Sequence, residues 1–470
     1  MSERYSFSYG DKMEEECGIF GIYDPDNNHD ISSLTYLGLL ALQHRGQESA
    51  GICIKKNEQF RLHKDMGLVA NVFEEEMLDK MKGDTAIGHV RYSTTGSSLL
   101  VNAQPLLINS IKGDLALAHN GNLINGRELK LNLESHGSIF HSTLDTEVIA
   151  HLVARSFEDD LIDALIQSLH QLKGAYSLVA MTKDSLVAAR DPHGFRPLCL
   201  GKIDDGYVVA SETCAFDMIG AEFVREVEPG ELVVINKEGL KSIKYSSERP
   251  YSFCIFEFIY FARPDSNIGG QNVHLARKEM GRQLAAEMNI DADLVIPIPD
   301  SGTAAALGFS EESGIPFSKG IMRNRYVGRT FIQPTQKIRD LKVRIKLSPI
   351  KDIIRGKRVI LVDDSIVRGT TSNQIINRVK EAGATEVHIA ISSPPVIDPC
   401  FYGLDTSKRQ ELIARDMTVE QIADHIGADS LTYLSHEGLI KSINVDGYGF
   451  CTACFSGEYP VDIESIRGEE

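Results

Sequence analysis

The stretch Val359-Ile-Leu-Val-Asp363-Asp364-Ser-Ile-Val-Arg368-Gly369-Thr370-Thr371-Ser372 constrains this chain more than any other. Its first four residues are apolar and mostly β-branched, which predicts a buried strand. Two carboxylates follow where such a strand should end. A Gly-Thr-Thr-Ser turn then leads into a helical pattern over 373–382. In an open α/β sheet, ligands bind at the carboxyl ends of the strands. A turn that opens a helix offers free backbone N–H groups and a positive dipole end, which suits a phosphate. Thr370 and Thr371 add hydroxyl donors, and Gly369 lets the backbone come close. No Gly-Lys-Ser/Thr follows, so this is not a Walker loop. Two carboxylates beside a phosphate cradle suit a sugar phosphate: they take ribose hydroxyls, or hold Mg²⁺ with its waters. Taken alone, an Asp-Asp pair fits equally an ordinary strand–turn–helix with acidic residues at the helix cap.

A chain of 470 residues predicts two or three domains. Hydrophobic residues at 42% and charged residues at 24% belong to a soluble globular protein. A net charge of −17 argues against nucleic acid or an anionic membrane as the main partner. One local exception is the segment 319–346, with nine basic residues against the single acid Asp340. It suits a polyanionic small molecule, or is a solvated basic face. No apolar run approaches the ~18 residues of a membrane span. The N-terminus has no hydrophobic signal core, so a cytoplasmic location is expected. Eight cysteines make no dense disulfide framework in so long a chain.

Residues 1–16 are polar, end in Glu14-Glu15-Glu16 and show no apolar period. At Cys17-Gly-Ile-Phe-Gly-Ile a strand pattern begins abruptly. Further on come Leu42-Gln-His-Arg45-Gly-Gln, Gly88-His-Val-Arg91-Tyr-Ser-Thr, Ala118-His-Asn120-Gly121-Asn122 and Leu144-Asp145-Thr-Glu147. Alternating runs over 178–181, 186–189, 207–210 and 232–235 predict antiparallel sheets. Helical patterns over 32–43, 145–155 and 161–172 would cover them. In this order the strings resemble the glutaminase domain of the N-terminal-nucleophile amidotransferases. That resemblance implies an α+β domain, an αββα sandwich, over 17–245, with residues 1–16 removed as a propeptide. A cysteine at the chain's start carries its own base, because a free α-amino group (pKa ~8) lies near a thiol (~8.5). In the unprocessed chain the nitrogen of Cys17 is a peptide amide and cannot serve. The resemblance makes Asn120 and Gly121 the oxyanion donors. It gives Arg91 the glutamine α-carboxylate and Asp145 the α-amino group. Arg45 matches a motif arginine near the nucleophile, placed with the glutamine-binding residues; a structural ion pair is the competing role. Cys53, Cys199 and Cys214 have no motif role and are expected in the core.

In the second half, Val295-Ile-Pro-Ile-Pro-Asp300-Ser301-Gly302-Thr303 is another apolar run ending in a small-residue turn. The segment Arg323-Asn-Arg325-Tyr-Val-Gly-Arg329 follows. With the 359–372 stretch, these strings resemble the type I phosphoribosyltransferases. The resemblance implies an α/β domain over 246–470 that binds phosphoribosyl diphosphate. Asp300 and Ser301 would lie in its pyrophosphate loop and Arg329 in a closing loop. Asp363, Asp364, Arg368, Gly369, Thr370 and Thr371 would hold the sugar phosphate. Mg²⁺ would sit at Ser301, Asp363 and Asp364. Cys451-Thr-Ala-Cys454 alone is ambiguous between zinc, redox and iron–sulfur use. Cys254, Cys400, Cys451 and Cys454 match, through the resemblance, the ligands of a [4Fe–4S] cluster in one branch of these proteins.

Joined, the two halves imply a glutamine-dependent enzyme of purine synthesis that transfers ammonia to phosphoribosyl diphosphate. Homotetramers and inhibition by purine nucleotides are further implications. One rival is glutamine-dependent hexosamine phosphate synthesis, which shares the first domain but not the Asp363-Asp364 loop. Another is a non-catalytic purine regulator, which would need neither Cys17, Asn120 nor Asp145.

Overall fold

The computed structural model describes residues 17–26, 28–92, 99–247, 249–324, 347–404 and 409–463. The segment 1–16 and Arg329, with most of the basic stretch 319–346, lie outside the described residues.

The first half is a four-layer sandwich. Strand Gly18–Tyr23 is central in a seven-stranded sheet, antiparallel to Thr85–Arg91 on one side and Gly206–Ala210 on the other. A six-stranded antiparallel sheet lies against it and includes Gly113–Leu123, Gly174–Met181 and Leu186–Arg190. Alternation decides which side chains meet. Ile19 and Ile87 of the first sheet pack on Ala118, Val179 and Ala188 of the second. Phe20, Ile22 and Val90 point the other way, onto helix Ile31–Ala41. Leu117 and Leu178 face helices Asp145–Arg155 and Leu161–Leu169. The expected αββα layering is therefore observed. The observed helices stop earlier than the patterns at 43 and 172, because tight turns follow Ala41 and Leu169.

The second half carries a four-stranded parallel sheet, in the order Leu294–Pro297, Arg358–Asp363, Glu386–Ile391, Ser430–Tyr433. Strand Arg358–Asp363 is interior and covered on both faces. Val359 and Leu361 enter one core with Ile375 and Ile376. Ile360 and Val362 enter another with Phe309 and Met280. This is why the run reads as continuously apolar rather than alternating. Before this sheet, Phe253–Cys254 pairs in parallel with Phe450–Cys451 and draws the end of the chain back. Among the described residues no helix is long and apolar enough to cross a membrane.

Because both faces are core, neither should tolerate truncation. Ile360→Ala and Leu361→Ala should each destabilise the second half by about 2–5 kcal/mol, read as a fall in its thermal or urea midpoint. Tolerance of one of the two would contradict burial on both faces.

Candidate active sites

Strand pairing brings the first set of candidate residues together. Gly18 pairs with Val90, so Cys17 and Arg91 fall at the same edge of the first sheet. In the second sheet Asn120 and Gly121 pair with Ser177 and Tyr176. A cavity of about 10 Å³ remains between them, lined by Cys17, Arg91, Tyr92, Gln104, His119, Gly121, Leu144 and Asp145. Residue 121 must be glycine here: its φ is +142°, and a Cβ would lie 2.1 Å from the carbonyl oxygen of Ala175. Asn120 is buried, and among the described residues its Nδ2 has no hydrogen-bond partner. An unpaired buried donor is costly unless a ligand is to use it.

The electrostatics are graded. Burial pushes the Cys17 thiol up to about 12, against the opposing pull of Arg91. Its Sγ lies 3.6 Å from the carbonyl oxygen of Tyr92. Burial alone would also raise the Asp145 carboxyl. His119 and the N–H groups of Leu123 and Thr146 overcome this and hold it below the usual range. His119 Nδ1 lies 3.3 Å from Asp145 Oδ1, and Leu123 N donates to Oδ2 at 3.0 Å. His89 is pushed down to about 3 by burial and stays neutral; its Nε2 donates to the His119 carbonyl at 3.0 Å.

Arg45 does not line the cavity. Its buried guanidinium sits between Glu212 and Glu257, and its Nε donates to the Cys17 carbonyl at 3.1 Å. Arg45 thus makes the ion pair that competed with a glutamine contact for it, next to the carbonyl of Cys17. His119, Gln104, Glu212 and Glu257 escape a sequence reading. His119 stands inside a quoted motif, while the others carry no local signal.

The second set gathers at the carboxyl ends of two neighbouring strands. Val362 pairs with Pro297, and Ile298 N donates to the Val362 carbonyl at 2.8 Å. Gly302 brings the two loops together: a Cβ there would lie 2.2 Å from that same carbonyl oxygen. Asp363 and Asp364 are buried, and Ser365 Oγ donates to Asp364 Oδ1 at 2.7 Å. Gly369 precedes helix Thr370–Glu381, which starts at Thr370 and Thr371. Asp300 pairs with Arg323 at 2.7 Å, and Arg368 with Glu411 at 2.7 Å. Among the described residues no three His, Cys, Asp or Glu are arranged to hold a metal ion.

The four remaining cysteines converge from distant parts of the chain. Cys254 pairs with Cys451, Cys454 follows in helix Ala453–Ser456, and Cys400 Sγ accepts from Tyr402 N at 3.3 Å. Among the described residues none of the four is in a disulfide, and the buried Cys454 thiol feels the other three sulfurs. Cys53, Cys199 and Cys214 are buried in the sandwich. A larger cavity of about 240 Å³ lies away from all these sets, between helix Cys214–Ile219 and the turn at Asn267–Gly270.

Comparison with known proteins decides the family. A glutamine amidotransferase domain model matches residues 89–218, and a phosphoribosyl transferase domain model matches 271–409. The chain is 53% identical over 456 residues to the amidophosphoribosyltransferase of Bacillus subtilis, covering 96% of this chain and 95% of that one. The chain belongs to the amidophosphoribosyltransferase family. The Methanocaldococcus jannaschii amidophosphoribosyltransferase is 49% identical over 473 residues, covering 97% of this chain and 100% of that one. Among solved structures, the B. subtilis glutamine phosphoribosylpyrophosphate amidotransferase complexed with ADP and GMP superposes with a TM-score of 0.90. It is 52% identical and covers 96% of this chain and 98% of that one. Amidophosphoribosyltransferases convert glutamine, phosphoribosyl diphosphate and water to phosphoribosylamine, glutamate and diphosphate. This is the first committed step of purine biosynthesis. The phosphoribosyl transferase match removes the hexosamine phosphate rival, and membership of an enzyme family removes the non-catalytic regulator.

The buried neutral imidazole of His89 gives a pH test. Unfolded histidine titrates near ~6.5, whereas His89 in the fold stays unprotonated down to about 3. Between these values the unfolded chain binds the extra proton, so stability should fall as the pH drops from 6.5 towards 3. The loss is on the order of 5 kcal/mol. His89→Gln should flatten that slope in melting curves taken across this range; an unchanged slope would contradict it.

Proposed function

We propose that amide hydrolysis runs on Cys17 after release of residues 1–16. The thiol, held up by burial, needs a base at hand. The α-amino group of a terminal Cys17 supplies one. The sulfur attacks the glutamine side-chain carbonyl, and the thiol proton passes by way of the amine to the departing ammonia. Water then releases glutamate from the thioester. Asn120 Nδ2 and the Gly121 N–H receive the oxyanion. Arg91 takes the substrate carboxylate, and ionised Asp145 takes its ammonium group. The observation that carries this reading is the buried Asn120 donor, without a hydrogen-bond partner among the described residues and next in its strand to Gly121, which lines the cavity with Cys17.

Phosphoribosyl diphosphate binds across the paired loops at 300–303 and 363–371. Thr370, Thr371 and the N–H groups that open the helix take phosphate oxygens, and Asp363 and Asp364 face the ribose. Arg368 joins them by exchanging Glu411 for phosphate; Asp300 and, from the basic segment, Arg329 complete the site. Two buried carboxylates and the Ser301 hydroxyl suit a cation that keeps waters and substrate oxygens as its other ligands. Mg²⁺ held there supplies positive charge for the leaving diphosphate. Binding of purine nucleotides as inhibitors agrees with the B. subtilis structure solved with ADP and GMP. A homotetramer in the cytoplasm completes the reading.

Cys254, Cys400, Cys451 and Cys454 fit a [4Fe–4S] cluster. Thiols raised by burial, as Cys254 is to about 11, ionise only with compensating cations. Their convergence from the paired strands Phe253–Cys254 and Phe450–Cys451, with the Cys454 thiol feeling the other three, supports the reading.

Two experiments test these assignments. Cys17→Ala should abolish glutamine-dependent synthesis and largely preserve synthesis from added ammonia. Asp364→Ala should remove both syntheses and spare part of glutamine hydrolysis, and Asn120→Ala should slow hydrolysis about 100–1000-fold. Loss of ammonia-dependent synthesis in well-folded Cys17→Ala would contradict the division. Anaerobically purified protein should be brown, with about four iron and four sulfide per chain. A colourless, stable protein with one zinc per chain would overturn the cluster and leave the catalytic assignment standing.

A further inference from the structure

Residue 17, once it starts the chain, is held by a peptide on one side only. Chain ends fray unless tied down. In this chemistry the nucleophile and its base share one Cα, so rotation of that residue swings both out of register. The donor that restrains the Cys17 carbonyl is Arg45 Nε, at 3.1 Å. What fixes Arg45 in turn is unequal. Glu212 accepts from Arg45 Nη1 at 2.6 Å, but its carboxylate is already served by His44 Nε2 at 2.7 Å, Ser266 Oγ at 2.6 Å and Arg263 N at 2.8 Å. Glu257 grips the guanidinium with both oxygens: Nη1 donates to Oε2 at 2.9 Å and Nη2 to Oε1 at 2.7 Å. Arg196 Nη1 lies 3.8 Å from the same carboxylate, and the Arg277 guanidinium also feels it. Glu257 is fully buried and opens the π-helical turn Glu257–Phe261, beyond the last strand of the sandwich.

We propose that Glu257 is a positioning residue for the glutamine half-reaction: it holds Arg45 so that Arg45 fixes the main chain of the nucleophile. A residue outside the sandwich thereby sets the geometry of a site built inside it. A bidentate carboxylate–guanidinium pair suits this task because it fixes orientation as well as distance. This inference rests on Cys17 as the nucleophile.

The test uses the mature full-length enzyme. Glu257→Gln should lower kcat for glutamine hydrolysis about 100-fold, the scale of a small misplacement of reacting groups. The KM for glutamine and ammonia-dependent synthesis should change little, because Arg91, Asp145 and the second site are untouched. The rate of Cys17 alkylation by iodoacetamide should fall alongside kcat. Glu257→Asp, which keeps the charge, should recover part of the activity. The control is Glu231→Gln, which breaks a similar bidentate pair with Arg225, at 2.8 and 2.7 Å, in the same half. It should leave kcat near the parent value. If Glu257→Gln is insoluble, Arg45→Lys carries the same test, since it keeps the charge and removes the Nε donor. Equal loss in Glu257→Gln and Glu231→Gln would overturn the proposal, as would equal loss of glutamine- and ammonia-dependent synthesis. Full glutaminase activity in Glu257→Gln beside a dead Cys17→Ala would overturn positioning alone. Activity in Cys17→Ala would remove the nucleophile and this inference with it.

Discussion

A buried guanidinium between two buried carboxylates ties the main chain at Cys17 to the rest of the fold. Taking Arg45, Glu212 and Glu257 out of water costs several kcal/mol per ion, and hydrogen bonds must offset it. Burial works against the Arg45 charge, but Glu257 and Glu212 hold it firmly ionised. Removing one partner of such a group costs about 3–5 kcal/mol, so the three side chains stand or fall together. Other buried arginines tie loops in the same manner. Arg190 donates to the carbonyls of Arg196 at 2.7 Å and Val227 at 2.8 Å. Arg196 donates to the Tyr402 carbonyl at 2.6 Å, next to the cysteine set, and Arg277 to the Phe258 carbonyl at 2.7 Å in the π-helical turn. Loop carbonyls that would otherwise be buried without donors are thereby satisfied.

Around Cys17 burial leaves two groups neutral and one ionised. The thiol and His89 are neutral because their desolvation outweighs the pull of Arg91 on the one and the hydrogen bond to the His119 carbonyl on the other. Asp145 is ionised because His119 and two backbone N–H groups serve its carboxylate. At the second site the loops rely on main-chain geometry. The Gly302 approach to Val362 brings the loop at 300–303 close to the strand end that leads to Asp363 and Asp364.

Much of the fold was legible because its signals are local. The interior strand Arg358–Asp363 and the helix after it follow from a continuous apolar run and a turn of small residues. The antiparallel strands of the sandwich follow from alternation. Arg91, Asn120, Gly121 and Asp145 stand in dense motifs, and the structure brings all but Asn120 into the lining of one cavity with Cys17, with Asn120 adjacent in its strand. Arg45 shows where such reading stops. Its motif placed it near the nucleophile, but its partners Glu212 and Glu257 lie 167 and 212 positions away. Nothing in a one-dimensional pattern links them. The pairing of Cys254 with Cys451 is hidden for the same reason, since two-residue strands leave no periodicity.

The central claim is that a terminal amine, formed at Cys17, acts as the base for its own thiol. Intact-mass measurement of enzyme with full glutamine-dependent activity tests it most directly. The expected result is a chain beginning at Cys17, shorter by residues 1–16. Full activity from a chain that retains those residues, with the Cys17 nitrogen still in a peptide bond, would contradict it.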